Sequence, residues 1–406
     1  MTLPPEILNK ILEHIPTDKH GRPTLISCAL VATWWTGPSQ RRLFSSVSVD
    51  NENYHRWMDG VALFGSKRHL LQYVRSLQLG PGVEYPMQGL PKDPGEYFSA
   101  LHNIHSLELV DVKINKAEFD ICFSAFRETL TNLDLGILTM PFGAFVALVD
   151  YFPNIVTLQL SPPTLEPDEG SVPPLSRPLR GKLRVDYAVC DYSEFIDRFA
   201  TLDLEYEELV ISSWYCLSTR SMESSLQLSP DTVKYLRLLL QPRCEYPSCS
   251  PSSLRVLTQP LTSGETIAAI HHFRQLRELE LRAVWPNSVH ETLLSSITST
   301  ELRKIILSVR HVYQWNTLDQ QMEEWDGIDE QLCELVARLG RMGHHHTLEV
   351  ELRFTEAVVG LTGCDFTNLL PKFRKTGVVN IINPDIIYSD SDLRLFSLLS
   401  SGLGTG

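Results

Sequence analysis

The sequence predicts an α/β chain: three short helices at the N-terminus, then a curved solenoid with a parallel inner sheet and outer helices. Three observations lead there. The first forty-five residues carry an apolar stripe bounded by prolines. From residue 74 onward a short pattern recurs: apolar, two variable residues, apolar, one variable, apolar. Between its copies lie stretches whose apolar residues keep helical spacing.

In the first helix Leu3, Ile7, Leu8, Ile11, Leu12 and Ile15 fall along one stripe. Pro4 and Pro5 suit the first turn, where a missing N–H costs nothing, and Pro16 stops the helix. A second apolar run covers Leu25 to Ala32, and Pro38 is expected to open a third short helix. A unit this small cannot bury a sizeable core alone. Its stripe therefore reads as a docking surface for another polypeptide. The alternative is a helical cap over the first repeat, because stacked arrays need covered ends.

The opening Leu3-Pro4-Pro5-Glu6-Ile7-Leu8, the block Cys28-Ala29-Leu30-Val31, Trp35 and the closing Arg41-Arg42-Leu43-Phe44 resemble an F-box. The version is similar to that of the large F-box families of mushroom-forming (basidiomycete) fungi. It covers residues 2 to 48. The resemblance implies binding to the Skp adaptor and, through it, to a cullin–RING ubiquitin ligase. Its contact residues would be Leu3, Pro4, Ile7, Leu8, Ile11, Leu25, Leu30, Val31 and Trp35. The chain departs from the family at Ala32-Thr33-Trp34, where a Cys and a basic residue are more usual, so the resemblance assigns no role to Trp34.

The recurring pattern has its middle residue at Leu77, Leu107, Leu133, Leu158, Leu183, Leu209 and Leu236, at spacings of 30, 26, 25, 25, 26 and 27. Further copies centre on Leu279 and Ile305, with weaker ones at Val350–Leu352 and Val379–Ile381. Helical spacing appears at Phe119, Cys122, Phe123, Phe126, then at Phe142, Phe145, Val146, Val149, Phe152, and at Val289, Leu293, Leu294, Ile297. A strand followed by a helix every ~20–29 residues marks leucine-rich repeats. The Asn usual after the strand is missing; Val112, Leu138, Pro163 and Val284 stand there, which implies an irregular arc. An ordinary α/β domain is the alternative. The expected organisation is an F-box at 1–48, a connecting helix at 49–73, irregular repeats at 74–390 and a C-terminal tail at 391–406.

Residues 80–95, 161–178 and 241–252 are rich in Pro and Gly and read as rim loops, for recognition or as plain linkers. Tyr313 to Asp329 looks irregular, with Trp315 and Trp325 beside Glu323, Glu324, Asp326 and Asp329. The two tryptophans either grip a client protein or cover the core beneath a solvated acidic helix.

A net charge of −13 over 406 residues argues against a nucleic-acid partner. Arg274, Arg277 and Arg282 form a possible local basic patch or a solvated edge. The eight cysteines are scattered, and Cys244 and Cys249 lack a second pair for zinc, so no metal is expected. Free thiols fit a reducing compartment. With no leader and no long apolar span, a soluble protein of the cytoplasm or nucleus is expected, without a membrane partner. No phosphate loop, dinucleotide turn or nucleophile elbow is present, so the chain reads as no enzyme and without cofactor. His344-His345-His346 is taken as a strand segment and His271-His272 as a helix end, neither of them ligands. Asp111, Asp134 and Asp203 read as hydrated carboxylates of ordinary pKa. These features together predict an adaptor that docks a ligase at one end and a client along its repeats. The alternative is a leucine-rich-repeat scaffold unconnected to ubiquitin transfer.

Overall fold

The computed structural model describes residues 4–17, 20–49, 68–80, 101–112, 119–136, 138–161, 164–166, 172–187, 193–213, 226, 228, 231–240, 273–283, 293–309, 318–344, 346–354 and 369–382. Leu3, Trp315, the tail 391–406, the loop 241–252 and most of the connecting segment lie outside them. The chain divides into two compact units, Met1–Ser213 with Leu217–Thr232 and Trp214–Cys216 with Val233–Gly406.

The first unit opens with α1 (Pro5–Glu13), α2 (Arg22–Val31) and α3 (Thr33–Leu43). Pro5 stands where the helix needs no N–H, and α1 ends before Pro16. Gly21 sits at the start of α2 because the chain crosses itself there: a Cβ would lie 1.9 Å from the Pro16 carbonyl oxygen. Ala32, at φ −160°, is a single extended residue separating α2 from α3. Pro38 does not open α3, as expected from sequence, but lies inside it. Beyond the first four positions a proline removes one i→i−4 bond, here the one the Trp34 carbonyl would accept. Long-range caps tie the trio together. The Thr36 hydroxyl donates to the Ala29 carbonyl at 3.0 Å, and the Arg42 guanidinium donates to the Glu13 carbonyl at 3.2 Å.

Only Phe44 and Ser45 separate α3 from β1 (Ser46–Val49), so the sheet begins well before the expected start at 74. β1 pairs in parallel with β2 (Ser76–Leu79), which pairs with β3 (Ser106–Leu109), and that with β4 (Asn132–Leu135). β5 (Thr139–Pro141) and β7 (Thr164–Glu166) form a separate parallel pair. β6 (Thr157–Leu160) continues the main sheet from β4, followed by β8 (Leu179–Tyr187) and β9 (Leu204–Ser213). The register joins Val47, Leu77, Leu107, Leu133, Leu158, Leu183 and Leu209 in one row. Every one of the evenly spaced marker leucines in this unit is in it. Two residues on, Val49, Leu79, Leu109, Leu135, Leu160, Val185 and Ile211 make a second buried row.

Parallel strands need crossovers, and helices supply several of them. These are α4 (Phe119–Phe123), α5 (Phe142–Tyr151) and α6 (Ser193–Phe199). The phenylalanines on and beside them pack in two aromatic clusters. Phe123 meets Phe152 at 5.8 Å between ring centres, and Phe145 meets Phe195 at 5.1 Å and Phe199 at 5.8 Å. Val112 and Leu138, which stand where an Asn was expected, are buried, so those turns close on apolar contacts.

The hydrogen bonds such an Asn would make are replaced from the other end of the strands. Asn103, Thr129, Asn154 and Thr232 each precede the opening residue of a copy and donate one turn back. Their acceptors are the carbonyls of Gln72 (3.1 Å), Ile104 (2.8 Å), Glu128 (2.8 Å) and Tyr206 (2.8 Å). Each such bond contributes about 0.5–1.5 kcal/mol. A bulge between Gly181 and Lys182 shifts the register of β8 on β9. Gly181 is required there: its φ is +91°, and a Cβ would lie 2.2 Å from the Val156 carbonyl oxygen.

In the second unit β10 (Tyr235–Leu240), β11 (Glu278–Ala283), β12 (Lys304–Val309), β13 (Glu349–Phe354) and β14 (Val378–Ile382) pair in parallel in that order. Leu236, Leu279, Ile305, Val350 and Val379 share a row. The segment expected to be irregular forms α7 (Leu318–Arg341) from residue 318 on, the longest described helix. Trp325, Ile328, Leu332, Leu335 and Leu339 bury one face of it. Gly343, at φ +89°, closes α7, and the His344 N–H donates to the Leu339 carbonyl at 3.0 Å, a Schellman cap. The histidine triplet therefore follows a helix end rather than lying in a strand, and His345 is outside the described residues. Asp329 is fully buried and accepts the Lys372 and Phe373 backbone N–H groups, both at 2.8 Å. Its carboxylate fixes the 3-10 turn Phe373–Lys375 against α7.

Candidate docking surface

The three N-terminal helices have an inside of their own. Leu8, Leu12 and Leu25 form its centre, with Ile15, Cys28, Trp35 and Leu43 packed against them. This corrects two expected contact residues. Leu8, 1% exposed, and Leu25 are interior, because the helices wind around them instead of offering them outward. Trp35 is partly buried in the same cluster, and its indole lies 5.5 Å from that of Trp34.

The other expected residues stay outside. Pro4 and Ile7 are exposed, and Ile11 is 41% exposed. On α2 Leu30 is 81% and Val31 70% exposed, with Ile26 one turn before Leu30. Ile7 and Ile11 are four residues apart, as are Ile26 and Leu30, so each pair makes a ridge along its helix. Ile26 and Trp34 are also exposed on these helices but were not among the predicted contacts. The available signal was the second helix's apolar character on more than one side. Leu3 lies outside the described residues.

A second surface is the polar face of the first unit's sheet. Gln78, Glu108, Asp134, Gln159 and Arg184 form a row across β2, β3, β4, β6 and β8. Gln78 donates to Glu108 at 2.8 Å, Gln159 to Asp186 at 2.9 Å, and Arg184 to Asp186 at 3.0 Å. Asp134 overturns the sequence expectation for it. Burial raises its pKa to about 7, Glu108 and Asp186 add to the rise, and Arg184 opposes it. Glu108 and Asp134 each follow a marker leucine by one residue, so the recurring spacing brings them side by side; the burial that raises the Asp134 pKa is not visible in that spacing.

On the second unit's polar face the charges are mostly matched. Lys304 meets Glu351 at 2.5 Å and Glu349 at 3.6 Å. Arg353 pairs with Glu351 and stands 3.9 Å from Glu280, which Arg237 approaches at 3.7 Å. Burial alone would raise the Glu351 pKa, but hydrogen bonds from Lys304 and Arg353 outweigh it and hold the carboxyl below its ordinary value. Trp325, expected as a client contact, is 3% exposed and belongs to the α7 core, so its indole offers no face to a partner. Among the described residues no group of three His, Cys, Asp or Glu side chains is arranged to hold a metal ion. No described helix is long and apolar enough to cross a membrane. No family model matches the chain, and no curated protein matches it.

Proposed function

We propose that the chain is an F-box adaptor of a Skp–cullin–F-box ubiquitin ligase, with its N-terminal helices on the Skp adaptor and a client protein on an irregular leucine-rich-repeat solenoid. One observation carries the reading. Helices whose own core is already filled by Leu8, Leu12 and Leu25 leave Leu30 and Val31 81% and 70% exposed. Burying a Leu or Val side chain on a partner is worth about 1.5–3 kcal/mol before association entropy is subtracted. Two ridges of such residues suffice for a specific complex. The in-register apolar rows, with polar residues on the opposite face of the same strands, support a stacked array whose polar face is free for a client. The chain then acts without chemistry of its own, by raising the effective concentration of client at the ligase.

The test is Leu30→Asp with Val31→Asp, assayed by co-purification with the Skp adaptor. The expected result is loss of the complex with an unchanged melting curve. A complex that persists sinks the proposal. Direct continuity of α3 into β1, which pairs with β2, favours a second reading in which the helices cap the sheet. Removing residues 1–44 then lowers the melting temperature of the first unit's sheet, whereas a docking module leaves it nearly unchanged.

A further inference from the structure

Among the described residues of the second unit's polar face, one strand cation stands without a counter-charge. Lys304, Arg237 and Arg353 each approach a glutamate. Among the described residues Arg282 has no carboxylate partner, and its Nε is shut off from water without an acceptor. A carboxylate arriving from solvent would pair with the outer Nη groups and supply the missing counter-charge.

Register places Arg282 in a row that reads Leu239, Arg282, Ser308, Arg353, Ile382 across β10 to β14. Ser308 is small and buried, so nothing bulky separates the two arginines. Arg353 is held in place by Glu351 and Glu280 and keeps 37% of its side chain exposed. Both ends of the row are apolar, and Ile382 is exposed. Four strand spacings of about 4.8 Å make the row about 19 Å long, the reach of about six extended residues.

We propose that this row binds an extended acidic peptide segment, with carboxylates on Arg282 and Arg353 and apolar side chains against Leu239 and Ile382. The arginine fork matches a carboxylate in two parallel hydrogen bonds, which a lysine at the same place would not supply. The two apolar ends favour a peptide over a small free anion. The site goes beyond the adaptor reading and stands whatever the N-terminal helices dock to.

Fluorescence anisotropy of the full chain with fluorescein-labelled Leu-Gly-Glu-Gly-Glu-Gly-Leu, whose alternate side chains share one face when extended, tests it against the same peptide with both Glu replaced by Gln. The Glu peptide should bind about tenfold tighter or better, and Arg282→Gln should remove about that factor without lowering the melting temperature. Arg274→Gln, an exposed arginine outside the row, should leave binding as it was. Equal binding of the two peptides, or unchanged binding by Arg282→Gln, overturns the proposal. So does displacement of the Glu peptide by an equivalent amount of inorganic phosphate, which would mean a site for small anions alone. Leu30→Asp should lose the Skp adaptor without affecting the peptide, so the two readings fail separately.

Discussion

Replacing Asp134 by Asn should stabilise the first unit above neutral pH and do nothing in acid. Asp134 lies on β4 directly opposite Glu108 on β3, with Asp186 near by and its carboxyl partly buried. Its pKa rises from 3.8 in the unfolded chain to about 7 in the folded one. Below 3.8 the group is protonated in both states and has no effect. Between 3.8 and 7 the folded chain holds a proton that the unfolded chain has lost, so stability falls as pH rises. Above 7 the penalty is complete. At 1.36 kcal/mol per pH unit its ceiling is about 4 kcal/mol, and solvent access to the carboxyl halves it to about 2 kcal/mol. The Asn variant keeps the shape and removes the charge. Scanning calorimetry should show its melting temperature raised by about 4–8 °C near pH 8 and unchanged near pH 4. Glu108→Gln should give a smaller gain and reduce the effect of Asp134→Asn when the two are combined. A gain that is the same at both pH values would refute the reasoning, since it could not come from ionisation.

Three further outcomes follow from the packing. Leu8→Ala removes a side chain from the centre of the helical trio and should lower its stability by about 2–5 kcal/mol in denaturant titration, whereas Leu30→Ala should change stability by less than about 0.5 kcal/mol. Asp329→Ala strips the acceptor from two backbone N–H groups, that of Phe373 buried, and should destabilise the second unit by about 2–4 kcal/mol, with faster hydrogen exchange at Lys372 and Phe373. Tyr206→Phe removes a buried hydroxyl that has no hydrogen-bond partner among the described residues, so it should raise the melting temperature or leave it unchanged; a clear loss would mean that the hydroxyl is satisfied in solution.

Much of the backbone was legible in the chain. Leu77, Leu107, Leu133, Leu158, Leu183 and Leu209 were spaced as markers, and they meet in one row. That works because period-two alternation commits a strand to one face wherever the pairing falls. The first helix and its proline boundaries were equally readable. β1 was missed because Ser46-Val47-Ser48-Val49 has valines where the other copies have leucines, although Val47 stands 30 residues before Leu77 and so keeps their spacing. The start of α3 was missed because a proline usually opens a helix and here lies within one. The candidate docking surface was half legible. Helical spacing identified an apolar stripe on α1 but could not say which of Ile7 and Leu8, neighbours in sequence, faces the other helices.

The sequence by itself determined which residues are apolar, how often they recur and therefore which elements form, since these depend on neighbours along the chain. The tertiary structure decided what each side chain meets. It enclosed Leu8, Leu25 and Trp325, left Leu30 and Val31 in solvent, buried the carboxyl of Asp134 and, among the described residues, left Arg282 without a carboxylate partner. Burial, desolvation and charge pairing are properties of residues brought together from distant parts of the chain, and only the packed fold supplies those neighbours.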